Sequence, residues 1–181
     1  MDHIQWAINI LNKNGYQIQK TIPDIIQDTP WAVVTRFETD QGLVYLKKVP
    51  PLLSIEPKII TVLYEEFHAH VPRIIADNQE EHCFLMNDAG IQLHEYFKKQ
   101  FQEGILIHAM RDYTNLQIMT SDKINLFLEM GVPDWRLASL PKLFHNLIMD
   151  EKILLDDGIT QDELIQSDPT GQAGGLMSVT P

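Results

Sequence analysis

Residues 31–49, WAVVTRFETDQGLVYLKKV, decide the fold class. Two runs rich in β-branched and aromatic residues flank Asp40-Gln41-Gly42, and a short glycine-bearing connection between such runs marks an antiparallel hairpin. Side chains alternate across a strand. Leu43, Tyr45, Lys47 and Val49 therefore share one face of the second strand, and Val44, Leu46 and Lys48 share the other. Lys47 falls on a largely apolar face, just ahead of Pro50-Pro51. Two readings of it stand side by side. A lysine stem lying along apolar surface with its head free can hold an anion such as a phosphate. A lysine on an edge strand also discourages aggregation.

Around this hairpin the chain alternates helix and strand. Residues 1–15 read as a helix, with Asp2 as N-cap, Ile4, Ala7, Ile8 and Leu11 on one face, and Gly15 as the stop. Residues 16–30 read as irregular or weakly strand-like, because Pro23 and Pro30 limit any ladder. Residues 53–70 read as a helix with Pro57 at its first position and Ile60, Leu63, Tyr64 and Phe67 on its apolar face. A second hairpin, VPRIIAD-NQEE-HCFLMND, follows at 71–88. An antiparallel sheet with a helix on it is an α+β arrangement.

After Asp88 the strand signal stops. Residues 92–101, 105–119 and 121–131 read as helices, the last capped by Ser121 or Asp122 and stopped by Gly131. In 134–155, Leu137, Leu140, Phe144, Leu147 and Ile148 recur at helical spacing, with Pro141 as an awkward interior residue. The last stretch, 167–181, is rich in Gly, Ser, Thr and Pro and reads as a disordered tail.

The 181 residues are 44% hydrophobic, enough for a sizeable core, and carry a formal net charge of -11. That charge argues against non-specific binding to nucleic acid or an anionic membrane surface. No apolar run is long enough to span a bilayer. The single cysteine, Cys83, excludes an internal disulfide and a cysteine zinc site, and a reduced, cytoplasmic setting is the expectation.

The order VVTRFETDQGLVYLKK, EPKIITVLYEEF, VPRIIADNQEEHCFLMNDAG resembles the N-terminal lobe of the aminoglycoside phosphotransferase and choline kinase family, small-molecule kinases with a protein-kinase-like fold. LEMGVPDWRLASLPKLFHNLI resembles the linker and early helical region of that family, so the resemblance spans roughly residues 15 to 165. It implies a kinase-like N-lobe over 1–87, the helical region of a truncated C-lobe over 88–166, and a tail over 167–181. By the resemblance, Lys47 is the third-strand lysine that holds nucleotide phosphates, and an acid on the next helix fixes its head: Glu56 best, Glu65 as runner-up. Leu85, Met86 and Asn87 resemble the hinge whose backbone binds adenine. Asp88 then caps the first helix beyond it. ATP or GTP with magnesium is the implied cofactor, and the acceptor is an unknown small molecule.

The departures from the family are equally specific. The stretch IIQDTPW, where a phosphate-covering loop belongs, has no glycine. No His-Gly-Asp occurs in the sequence, so no catalytic residue and no metal ligand is assigned. In HAMRDYTN, Asp112 and Asn115 are too close together for a kinase catalytic loop. Asp88 and Asp156 are accounted for by cap and turn chemistry. His68 and His70 are placed on opposite sides of a helix and make no metal face. The reading is thus a truncated kinase-like protein, an ATP-dependent phosphotransferase by ancestry and inactive alone, whose nucleotide binding is weak. The alternatives are a non-catalytic interaction module on the same scaffold and an enzyme of another class using the scattered histidines. The helices, Ile105, Leu106, Tyr113, Leu116, Phe127 and Leu128 among their apolar residues, are expected to pair in a homodimer.

Overall fold

The computed structural model describes residues 2–156 and 158–160, so the tail read over 167–181 lies outside the described residues. The chain divides into two compact units, Met1–Val132 and one that begins at Pro133. The first opens with helix α1, His3–Lys13, whose N-terminus is capped by Asp2 Oδ1 accepting from the Ile4 N–H at 3.2 Å. Gly15, at φ 83°, turns the chain out of it.

Five strands follow: β1 Asp24–Thr29, β2 Ala32–Thr39, β3 Gly42–Lys48, β4 Ile74–Asn78 and β5 Cys83–Asn87. They form one antiparallel sheet in the order β1-β2-β3-β5-β4. The β2–β3 hairpin closes at Thr39 and Gly42, and Gly42 sits at φ 109°, where a side chain would be strained. The mixed α+β architecture agrees with the sequence reading. Residues 16–30 depart from it: Pro23 lies just ahead of β1 and Pro30 in the turn after it, so neither proline removes a ladder donor. β1 is instead interrupted by a bulge between Ile25 and Gln27, as edge strands often are. The edge-strand reading of Lys47 is also overturned, because β3 lies between β2 and β5.

The sheet has two differently covered faces. On one, Phe37, Val44, Leu46, Cys83 and Leu85 pack against Ala7 and Leu11 of α1. On the other, Ala32, Val34, Val49 and Phe84 gather Tyr45, Ile74, Met86 and Ile60, the last from helix α2, Glu56–Glu65. Pro57 is the second residue of α2, which still spares a helical hydrogen bond. The helix stops earlier than the apolar periodicity suggests. His68 takes a left-handed backbone, φ 49°, so His68 and His70 lie in the α2–β4 connection and not on opposite sides of a helix.

Helices α3 Leu93–Lys99, α4 Glu103–Ser121 and α5 Ile124–Glu129 complete the first unit. Ser121 ends α4, Asp122 is its C-cap, and Lys123 takes the N-cap of α5, so neither expected cap serves there. The unit beginning at Pro133 holds α6, Leu140–Ile148, and α7, Glu151–Asp156. Pro141 is the second residue of α6, where its missing N–H has no intrahelical partner to lose, so it kinks nothing. Among the described residues no helix is long and apolar enough to cross a membrane.

Candidate functional site

Lys47 stands near the C-terminal end of β3, directly opposite Val34 on β2 and Phe84 on β5. Beyond it, Pro50-Pro51 ends the strand and a 3-10 turn, Pro51–Leu53, reverses the chain, with Ser54 Oγ donating to the Pro51 carbonyl at 2.7 Å. That reversal delivers the first residue of α2 back to the strand. Lys47 Nζ donates to Glu56 Oε1 at 2.5 Å, with the two side chains 23% and 32% exposed. Glu65 is at the far end of α2, about 13 Å further along a helix rising 1.5 Å per residue. The acid at the helix start also meets the positive end of the helix dipole. An ammonium has three donors and Glu56 takes one, so the head is oriented with capacity for a further anion.

Register places more chemistry on the same face. Asp24, Arg36, Tyr45, Met86 and Ile74 stand opposite one another in a row across the five strands. Arg36 Nη2 donates to Asp24 Oδ2 at 3.0 Å, and Lys20 Nζ donates to the other Asp24 oxygen. Lys20 first, then Arg36, hold the Asp24 carboxyl below its usual range. Burial first, then the nearby Asp88 charge, push the Tyr45 phenol up. Asp24 thus ties down Lys20 and Arg36 in the row that runs through Tyr45, two residues along β3 from Lys47. Alternation alone places Tyr45 with Lys47.

The expected hinge residues separate. Met86 lies on the Lys47 face, and Asn87 is exposed at the end of β5. Leu85 is fully buried on the opposite face against α1, paired with Leu46 on one side and Ala76 on the other. It is core, with its backbone in the ladder. Asp88 does not cap α3, whose N-cap is Gln92; its Oδ1 accepts from the Gly90 N–H at 3.0 Å, a turn that lets Gly90 adopt φ 85°.

At the glycine-free loop, β1 and β2 are joined by Pro30 and Trp31 alone. Thr29 Oγ1 accepts from the Ala32 N–H at 3.2 Å and donates to its carbonyl at 3.0 Å, so this amide is already engaged within the turn. Asp112 and Asn115 lie within continuous α4 and form no loop. Among the described residues no group of His, Cys, Asp and Glu is spaced to hold a metal ion. Neither a protein-family model nor a curated protein matches the chain.

Proposed function

We propose that this chain is a nucleotide-binding lobe of the small-molecule-kinase type, which takes ATP or GTP weakly and transfers no phosphate on its own. The observation that carries this reading is the Lys47–Glu56 ion pair, a strand lysine oriented by the first acid of the following helix. The strand order β1-β2-β3-β5-β4, with α2 between β3 and β4, supports it. Lys47 holds the phosphates as a point charge. Tyr45, on the same face, offers an aromatic ring for the base to stack on, and Met86 lies beside it. The residues therefore fit a nucleotide. They do not fit magnesium, since among the described residues no group of His, Cys, Asp and Glu is spaced to hold a metal ion, and no catalytic step is assigned through that ion. The sequence also has no His-Gly-Asp, the motif that supplies the residue orienting the acceptor hydroxyl in that family.

Calorimetric titration with ATP tests the reading. One ammonium and one stacked base correspond to a Kd of ~0.1–1 mM, and Lys47→Met should weaken binding about tenfold or more. Affinity unchanged by that substitution would overturn the site. A second reading, an interaction module that pairs with its own copy, draws on apolar side chains left in water. On α4, Ile107, Met110 and Ile118 are exposed on the side away from Ala109 and Leu116. On α6, Leu140, Phe144, Leu147 and Ile148 are exposed together.

A further inference from the structure

The α2–β4 connection and the inner side of α4 enclose a groove of about 470 Å³, within the range of small-molecule sites. Its walls are mostly apolar: Phe67 and Val71 from the connection, and Ala109, Leu116 and Met119 from the helix. Into that wall the sequence sets an acid. Asp112 lies between Ala109 and Leu116 on one side of α4, where the amphipathic pattern calls for another apolar residue. The left-handed turn at His68 brings His70 alongside: its Nδ1 is 3.6 Å from Asp112 Oδ2, and His108 Nε2 is 3.5 Å from the same oxygen. Both separations are within ion-pair range but longer than a proper hydrogen bond, so the part-exposed carboxylate keeps acceptor capacity toward the groove.

We propose that this groove is a second ligand site, for a small organic amine whose ammonium head pairs with Asp112 and whose compact apolar body lies between Phe67, Leu116 and Met119. A carboxylate and an ammonium form charge-assisted hydrogen bonds, the strongest contacts such a groove offers. Tyr113 lines the same groove, and an aromatic face attracts a cation. The formal charge of -11 draws cations toward the protein and repels anions. None of these residues belongs to the Lys47 site, so the two readings stand or fall separately.

The test is a titration of the isotopically labelled full chain with 2-phenylethylammonium, 2-phenylethanol and phenylacetate, followed through backbone amide shifts. The ammonium should perturb residues 68–71 and 109–116 and bind about tenfold tighter than the alcohol, the difference one charge-assisted contact makes. Asp112→Asn should reduce the ammonium to the affinity of the alcohol. Equal affinity for ammonium and alcohol, tighter binding of phenylacetate, shifts outside the groove, or no binding of the ammonium at all would each overturn the proposal. The shift map and the ligand comparison use the unaltered chain, so the result stands even where the Asn variant does not fold.

Discussion

Replacing Lys47 by Met keeps an apolar stem on the β3 face and deletes the charge that Glu56 orients. The size of the effect follows from geometry. The two heads meet at 2.5 Å, with side chains 23% and 32% exposed. Unit charges about 4 Å apart attract by about 1 kcal/mol in bulk water and about 4 kcal/mol at the effective dielectric near a protein surface. Desolvating both heads and ordering the lysine stem offset most of that gross attraction. A net coupling of about 1 kcal/mol is expected, at the upper end for pairs with some access to water. The single changes should be unequal. Lys47→Met strands a carboxylate and should cost about 2 kcal/mol, whereas Glu56→Gln leaves an ammonium that can swing to water and should cost about 1 kcal/mol. Urea unfolding of both variants and their double mutant measures the coupling, with Lys48→Met, on the opposite face, as the control. At 1 M salt the screening length is about 3 Å, comparable to the contact, so much of the coupling should persist. A coupling below about 0.3 kcal/mol, or one abolished by salt, would refute the idea that Glu56 fixes the Lys47 head.

Cys83, the first residue of β5, is buried on the α1 face of the sheet, and burial pushes its thiol up to about 11; a disulfide reagent at pH 8 should therefore fail to modify the native chain and react only on unfolding, and rapid native labelling would contradict its placement. Arg136, through its side chain first and then its backbone N–H, holds the Asp134 carboxyl well below the usual range. A depressed carboxylate contributes stability above the unfolded value of about 3.9 and loses it as pH falls toward the folded value. Carbon-13 titration should find Asp134 still ionised at pH 3 and returned to the ordinary range by Arg136→Gln; an ordinary midpoint in the unaltered chain would count against the ion pair. If the exposed apolar faces of α4 and α6 pair two copies, light scattering across a dilution series should show a dimer that dissociates on dilution, and a monomer at every concentration would exclude that reading.

Some of this was legible because it is local. The glycine turn at Asp40-Gln41-Gly42, the Asp2 cap and the exit at Gly15 each depend on a few consecutive residues. Other expectations failed where a neighbour in sequence was not the neighbour in space. Asp88 looked like a helix cap, yet its carboxylate turns the chain at Gly90 and the N-cap of the helix beyond is Gln92. Pro141 looked like an interruption because the helix was expected to start earlier; beginning at Leu140, it has no donor to lose there. His68 and His70 were assigned to a helix by apolar periodicity, which carries no information about a residue turning left-handed.

By itself, the sequence determined that Lys47 and Tyr45 share a strand face with apolar neighbours, since alternation is a property of any extended chain. Only the tertiary structure decided that β3 is central, that Leu85 belongs to the α1 side of the core, and that Glu56 is the acid that reaches Lys47. The reason is that strand order and the return of α2 depend on burying two opposite faces of one sheet at once. That requirement is shared by residues from Ala7 to Met86 and cannot be read from any single stretch of them.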